Sequence, residues 1–180
     1  MTVTPTPFRG LYIIEPQVFT DNRGYFFESW NKKAFAKAGV PFDFVQDNES
    51  GSARDVIRGL HFQVPPHAQG KLVRVLKGAL LDIAVDLRRG EPTYGKHFRI
   101  HLAATDNKML YIPPGFAHGF RTLEDDTVFL YKCTHHYNKE CERTIRWDDP
   151  DLAIDWGTDA PLLSQKDRNA MPFRDFQSPF

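Results

Sequence analysis

Apolar and polar residues alternate in many short segments along the chain, as they do in strands of a half-buried sheet. Residues that favour turns separate these segments, which recur at roughly 8–12-residue spacing. This spacing, with little helical periodicity, predicts an all-β sandwich or barrel. The predicted strands are LYIIEPQVF, YFFESW, VIRGLHFQ, KLVRVL, ALLDIAVDL, HFRIHL, KMLYIP and TVFLYKCT. The turn KG joins KLVRVL to ALLDIAVDL and predicts a hairpin, whereas PPGFAHGF predicts a loop or bend.

Two short segments predict helix. The first covers about residues 31–39, where Asn31 can cap the helix and Gly39 can end it. The second is a single turn in PLLSQKDRNA, where Ser164 and Asp167 fit a capping box. No repeat or linker-like stretch interrupts the chain, so we expect one domain over residues 1–180.

Length and charge narrow the classes of function. A chain of 180 residues can bury a sizeable core, and 23 basic residues balance 23 acidic ones. This balance argues against a nucleic-acid or anionic-membrane partner. No apolar run approaches 18 residues and no secretory signal is evident, so no membrane span is expected. Two cysteines suit a reducing cytoplasm better than a disulfide scaffold.

The stretch VIRGLHFQVPP places charged groups inside a predicted strand. Arg58 and His61 are costly to bury unless something pairs with them. Regular alternation puts them on opposite faces, but a bulge at Gly59 would reset the register and let both serve one pocket. The alternative is an edge strand that leaves both side chains in solvent.

Lys71 and Tyr131 also lie in line with apolar positions of strands. Lys71 shares a face with Val73 and Val75, so it lies at a strand end in solvent or inside a cavity. Tyr131 shares a face with Phe129, and its hydroxyl serves as a structural hydrogen-bonding group or as an acid.

Two further residues have competing interpretations. His118 stands between two glycines in a predicted loop, which could aim it into the mouth of a cavity. Asp167 is either a helix cap or a carboxylate that orients a histidine and favours its protonated form. One side chain is not expected to do both.

A catalytic metal is not predicted. Residues 113–118 match the second cupin motif, P-x-G-x-x-H, but the first motif needs H-x-H, and His61 is followed by Phe62 and Gln63. The histidines and cysteines of residues 133–141 fit no zinc spacing. No nucleophile elbow, Walker loop or dinucleotide fingerprint is present.

Long blocks of the sequence resemble the dTDP-4-dehydrorhamnose 3,5-epimerase family in that family's order. They are FTDNRGYFFESWN, FVQDNES, VIRGLHFQVPPHAQGKLVRVLKG, DIAVDLRRGEPTYGK, YIPPGFAHGF, FLYKCTHHYNKECERTIRWDDPDLAIDW and PLLSQKD. The resemblance implies a cupin-type jelly roll with a few short helices, a homodimer with exchanged N-terminal strands, and no metal or other cofactor. It also implies epimerisation of dTDP-4-dehydro-6-deoxy-D-glucose to dTDP-4-dehydro-L-rhamnose, a step toward dTDP-L-rhamnose for cell-surface polysaccharide such as lipopolysaccharide.

The same resemblance implies roles for individual residues. His61 would be the base, Asp167 would orient it, Lys71 would stabilise charge on the C4 oxygen and Tyr131 would deliver a proton at C5. The implied substrate contacts are Arg23, Glu28, Gln46, Asp47, Asn48, Arg58, His118, Glu142 and Lys166, of which Arg23 and Glu28 would come from the partner. Phe26 and Tyr137 are candidates for stacking on thymine.

Three alternatives stay open at the level of sequence. The first is an epimerase of the same family that acts only at C3 or only at C5. The second is a non-catalytic cupin that binds a nucleotide sugar, which the joint presence of His61, Lys71, Tyr131 and Asp167 disfavours. The third is a metal-dependent cupin oxygenase, which the missing H-x-H disfavours.

Overall fold

The computed structural model describes residues 1–180 and contains two facing antiparallel sheets. The first sheet has the order β1 (Thr2–Pro5), β2 (Tyr12–Glu15), β10 (Met109–Ile112), β7 (Lys71–Lys77), β12 (Thr127–Cys133) and β5 (Gln46–Ser52). The second has the order β13 (Glu142–Thr144), β6 (Ile57–Gln63), β11 (Phe116–Thr122), β8 (Ala79–Asp86) and β9 (His97–Ala103). A separate hairpin joins β3 (Phe19–Asp21) to β4 (Gly24–Phe26). The predicted all-β sandwich is therefore confirmed.

Helices are short and lie where capping residues predict them. Helix α1 (Lys32–Lys37) begins after Asn31, whose side chain accepts hydrogen bonds from the amides of Lys33 and Ala34. Helix α2 (Gln165–Arg168) begins after Ser164. Two 3₁₀ turns cover Ala104–Asp106 and Phe173–Asp175. No helix is long and apolar enough to cross a membrane.

The main core lies between the two sheets. Val73 and Phe129 of the first sheet pack with Leu80 and Phe120 of the second, and all four are buried. Each such side chain contributes roughly 1.5–3 kcal/mol relative to an exposed position. This burial is the physical reason for the alternating pattern in the sequence.

Both sheets are also covered on their outer faces. Phe35 of α1 packs with Leu72 and Tyr111 on the first sheet, and Trp156 and Phe176 of the C-terminal segment pack on the second. Strand β8 has layers on both sides, so all eight of its residues are buried.

The predicted hairpin between KLVRVL and ALLDIAVDL is wrong. Strands β7 and β8 follow each other in the chain but belong to different sheets. Gly78 makes the turn with a φ of 77°, and a Cβ there would lie 2.5 Å from Oγ1 of Thr127. The turn signal correctly marked a reversal of the chain, but turn residues do not determine whether the flanking strands pair with each other.

The predicted loop at PPGFAHGF is also wrong beyond residue 115. Residues 116–122 form β11, which lies inside the second sheet between β6 and β8. Its Gly119 lies against Gly59 of β6, where a Cβ on Gly59 would approach the Gly119 Cα to 2.4 Å. The glycine pair therefore allows two strands to approach closely, and this use of glycine resembles a loop signal in the sequence.

Candidate active site

A cavity of about 480 Å³ opens between the two sheets. Strands β5, β7 and β12 form one wall, and β6, β11 and β13 form the other. Its lining residues are Gln46, Asn48, Glu49, Ser50, Arg58, His61, Phe62, Gln63, Gln69, Lys71, His118, Phe120, Tyr131, Tyr137 and Glu142. Double-sheet β architectures often enclose a ligand cavity, and polar groups that converge inside one mark a candidate binding site.

Arg58 and His61 both reach the cavity because β6 is irregular at Gly59. The register with β11 shifts between the His118–His61 pair and the Phe120–Arg58 pair, and Gly59 has a φ of 134°. This confirms the irregularity predicted from parity. The Arg58 guanidinium donates to the Ser52 hydroxyl, with Nη2 at 3.1 Å from Oγ.

His61 is bonded to a buried carboxylate. Its Nε2 lies 2.5 Å from Oδ1 of Asp167, whose side chain is 3% exposed. Burial acts to raise the pKa of Asp167, but the bonds from His61 and from the Ser164 hydroxyl outweigh it, so the pKa is lowered. The carboxylate is therefore held ionised beside the imidazole.

Asp167 takes part in the helix cap and also bonds to a histidine, the two interpretations that competed at the level of sequence. Its amide donates to Oγ of Ser164 at 3.1 Å, as in a helix cap, while Ser164 Oγ donates back to Oδ2 at 2.8 Å. The other carboxylate oxygen is free for His61. The expectation that one side chain would not do both was wrong, because Oδ2 accepts a hydrogen bond from the capping residue Ser164 while Oδ1 bonds to His61.

A second histidine–carboxylate pair lies beside the first. His118 stands directly opposite His61 across the strand pair, and its Nε2 lies 3.0 Å from Oδ2 of Asp82. Both side chains are buried, and burial lowers the pKa of His118 although Asp82 acts in the opposite direction. Sequence reasoning missed Asp82, even though a carboxylate inside the apolar run ALLDIAVDL was a visible signal.

Lys71 and Tyr131 lie on the opposite wall. Lys71 is buried in the cavity rather than exposed at a strand end, and its Nζ donates to the His61 carbonyl oxygen at 3.3 Å. The same nitrogen lies 5.6 Å from the centroid of the Tyr131 ring. Burial lowers the pKa of Lys71 and raises the pKa of Tyr131. The cavity therefore holds a poorly hydrated amine, whose charged form burial disfavours, and a phenol that keeps its proton.

Three candidate substrate contacts are neighbours in strand β5, but their side chains point to different faces of the sheet. Gln46 and Asn48 line the cavity, whereas Asp47 points outward and pairs with Lys132 at 2.9 Å. Asn48 stands opposite Tyr131 in the register and Asp47 opposite Lys132, so alternation along the strand accounts for the split.

Three more candidates meet at the rim. The Lys166 ammonium lies 2.6 Å from Oε1 of Glu142, and the Tyr137 hydroxyl donates to Oε2 of Glu142 at 3.1 Å. Burial acts to raise the pKa of Glu142, but Lys166 outweighs it, so the pKa is lowered. The Tyr137 ring is 54% exposed and is open to a ligand.

The remaining candidates lie outside this cavity. Arg23 sits at the tip of the β3–β4 hairpin, where its side chain is 86% exposed and pairs with Asp21 at 2.6 Å. Phe26 is 67% exposed on the same hairpin. Glu28 is exposed and accepts a hydrogen bond from the side-chain Nδ2 of Asn31. A single chain does not bring these three residues to His61.

Several cavity residues were not predicted. They are Glu49, Ser50, Phe62, Gln63, Gln69 and Phe120. Gln63 shares the parity of His61 in β6, which was an available signal, whereas the place of Gln69 depends on a loop conformation that no local pattern encodes.

A histidine bonded to a carboxylate, a buried lysine and a phenol around one cavity suit proton transfer beside a carbonyl group. Two facing antiparallel sheets around such a cavity are typical of the cupin-like jelly-roll class, and these groups suit an enzyme of that class. The chain belongs to the dTDP-4-dehydrorhamnose 3,5-epimerase family, whose sequence model matches residues 5–175. It is therefore an isomerase.

Individual relatives agree over nearly the whole chain. A dTDP-4-dehydrorhamnose 3,5-epimerase from Pseudomonas aeruginosa is 51% identical over 177 residues, which is 97% of each protein. The crystal structure of the Elizabethkingia anophelis enzyme superposes with a TM-score of 0.91 at 47% identity and covers 97% of both chains. A Legionella pneumophila epimerase in complex with dTDP-4-keto-L-rhamnose has a TM-score of 0.92 at 42% identity, and covers 98% of this chain and 94% of that one.

Proposed function

We propose that this chain epimerises dTDP-4-dehydro-6-deoxy-D-glucose at C3 and C5 to give dTDP-4-dehydro-L-rhamnose. The observation that carries the proposal is the His61–Asp167 pair, 2.5 Å apart, in the same cavity as Lys71 and Tyr131. Membership of the epimerase family supports the identity of the reaction. The reaction consists of proton removal from carbon, an enolate, and proton return to the opposite face.

His61 acts as the base in this proposal. Its Nε2–H donates to Asp167, so the lone pair of the neutral ring is on Nδ1, and the carboxylate stabilises the imidazolium that forms. Lys71 stabilises the negative charge that develops on the C4 oxygen, because an ammonium group in a dry cavity is worth more than in water.

Tyr131 acts as the acid that returns the proton at C5. It belongs to the sheet that faces His61, so the two groups approach a sugar ring from opposite walls. Burial raises the pKa of Tyr131, which keeps the phenol protonated between turnovers.

The nucleotide part of the substrate lies along the rim in this proposal. Arg58 contacts the diphosphate, and Tyr137 stacks on thymine. His118 lines the sugar site, while the side chains of Gln46, Asn48, Glu142 and Lys166 contact the substrate. Because its carboxylate pairs with Lys132 on the outer face, we assign Asp47 a main-chain contact only.

We also propose that the active protein is a homodimer in which each β3–β4 hairpin completes the partner's site. Arg23 and Glu28 of the partner subunit then contact the substrate, and Phe26 is a second stacking candidate. Phe19, Tyr25 and Phe26 are each more than half exposed in the single chain, and burying them would recover hydrophobic free energy.

Two finer expectations accompany this proposal. Residues 1–180 act as one domain in each subunit. We place the protein in the cytoplasm. Its two free, buried cysteines support this location, because unpaired thiols persist in a reducing compartment.

The reaction is tested by incubating the protein with dTDP-4-dehydro-6-deoxy-D-glucose in D₂O and following deuterium by NMR. We expect deuterium at both C3 and C5 and an L-sugar that a reductase can trap. Deuterium at one carbon alone would identify a single-site epimerase, and binding without exchange would identify a nucleotide-sugar sensor.

The exchanged hairpin is tested by mixing two inactive variants, Arg23→Ala and His61→Asn, after dissociation and reassociation. If Arg23 acts in the partner's site, a mixed dimer has one intact site and activity returns. If Arg23 acts in its own site, both sites of the mixed dimer stay defective and no activity returns.

A further inference from the structure

His67 and His135 meet beside the cavity although 68 residues separate them in the sequence. Their Nδ1 atoms lie 3.3 Å apart and their ring planes cross at 89°. Neither residue lines the cavity, and the proposed reaction uses neither. Both are partly exposed, so solvent reaches the pair.

The two segments that carry these histidines are held firmly. The side-chain Nε2 of Gln63 donates to the backbone carbonyl oxygen of His67 at 2.6 Å, and the side-chain Nε2 of Gln69 donates to that of His135 at 2.7 Å. The amide of Gly70 donates to the Thr134 hydroxyl at 2.7 Å, and the Thr134 amide donates back to the Gly70 carbonyl oxygen. The two imidazoles are therefore positioned by the backbones of adjoining segments that continue into the paired strands β7 and β12.

We propose that His67 and His135 form a two-imidazole site for a divalent transition-metal ion of the zinc, nickel or copper class. Two imidazole nitrogens at 2.0–2.1 Å from a tetrahedral zinc ion are about 3.3–3.4 Å apart, which is the separation found here. Imidazole is a preferred ligand of these metals, and water completes the coordination at a partly exposed site.

The metal replaces the proton shared by the two rings and links residues 64–70 to residues 134–138. The second segment carries Tyr137, whose amide donates to the Gln46 side chain in the cavity wall. The site is separate from the proposed reaction, because His61, Lys71, Tyr131 and Asp167 take no part in it.

The test is calorimetric titration of the tag-free full chain with ZnCl₂ and, separately, NiCl₂. We expect the unaltered chain to bind one equivalent of metal, and we expect both His67→Asn and His135→Asn to lose this binding. His136→Asn is the matched control, because His136 is the exposed neighbour of His135 and should keep the equivalent. Absence of binding, retention in both variants, or equal loss in the control would overturn the proposal.

A second measurement does not depend on variants. Long-range ¹H–¹⁵N NMR of the unaltered chain should show zinc shifting the Nδ1 signals of His67 and His135 before those of other histidines. If zinc first shifts His61 or His118, the metal binds in the cavity and the proposed site is wrong.

Discussion

The two histidine–carboxylate pairs of the cavity have the same chemistry but different surroundings. His61–Asp167 and His118–Asp82 lie side by side, since His61 and His118 are opposite each other in neighbouring strands. The His61 side chain is 31% exposed and that of His118 is 6% exposed. Asp167 comes from a short helix near the C-terminus, whereas Asp82 comes from the interior strand β8.

From this difference we expect access, rather than the pair itself, to decide which histidine transfers a proton. Burial lowers the pKa of His118, which favours the neutral ring, and its hydrogen bond to Asp82 fixes the ring in the wall. His61 reaches the cavity and has an ionised carboxylate behind it. In the proposed reaction, identical residue types would therefore serve as a reactive pair and a supporting pair at one cavity.

The largest expected effect separates these two pairs directly. His61→Asn should lower turnover by about 10²–10⁴-fold, because it removes the proposed base. His118→Asn should lower turnover less and should instead cost roughly 1–3 kcal/mol of unfolding free energy, since Asp82 loses its partner. Deuterium exchange at C3 and C5 and urea unfolding measure the two effects. Equal loss of exchange in both folded variants would show that the pairs share the chemistry.

Tyr131→Phe tests whether the reaction at His61 needs an acid on the opposite wall of the cavity. We expect C5 product to fall by about 10²–10⁴-fold, because the phenyl ring keeps the packing but supplies no proton. Deuterium should still enter at C3, since His61 is intact. Unchanged C5 product would remove Tyr131 from the mechanism and assign proton return to another group.

Lys71→Met tests the buried amine on the wall opposite His61. Turnover should fall by about 10²–10³-fold, because the enolate oxygen loses its cation. The variant should nevertheless melt at a higher temperature, since burial lowers the pKa of Lys71 and the charged form costs stability. For a chain of this size, 1 kcal/mol corresponds to about 2–4 °C.

The gain in stability should depend on pH in a defined direction. Because the pKa of Lys71 is lowered in the fold, the charged form costs stability at neutral pH, and this cost is relieved as pH rises toward the ordinary value of 10.5. The difference in Tm between Lys71→Met and the unaltered chain should therefore shrink in alkaline buffer. A Tm that falls in the variant at neutral pH would contradict this account.

Local rules predicted features that depend on neighbours in sequence. Asn31 begins a helix, and Gly59 breaks the alternation of β6 so that Arg58 and His61 share a cavity. Long blocks resembling the epimerase family supplied the fold and the roles proposed for His61, Lys71, Tyr131 and Asp167. These predictions needed no knowledge of which strands pair.

Features that depend on distant pairing could not be predicted in the same way. The sheet to which β8 belongs, the partner of His118 and the contact between His67 and His135 follow from strand order and loop conformation. The Gly119 signal was ambiguous, because a glycine that permits close strand approach is indistinguishable in sequence from one in a loop. Alternation could place Asp47 outward, but only the register with β12 identifies Lys132 as its partner.

The smallest expected effect concerns the hydroxyl behind the reactive pair. Ser164→Ala removes one of the bonds that lower the pKa of Asp167. The carboxylate then becomes more basic and stabilises the imidazolium of His61 further, so the acid limb of kcat/KM should move to higher pH while the rate at neutral pH falls only a few-fold. Loss of the cap should also cost about 0.5–2 kcal/mol of stability.

Ser164→Thr is the matched control, because it keeps both the cap and the hydroxyl, and its pH profile should be that of the unaltered chain. The stabilising effect of Asp167 is present above its ordinary pKa of 3.8 and is lost as pH falls through the lower value in the fold, so acid unfolding should begin at higher pH in Ser164→Ala. If the Tm falls but neither the acid limb nor acid unfolding moves, Ser164 only caps the helix. The difference between the two histidine pairs would then rest on exposure alone.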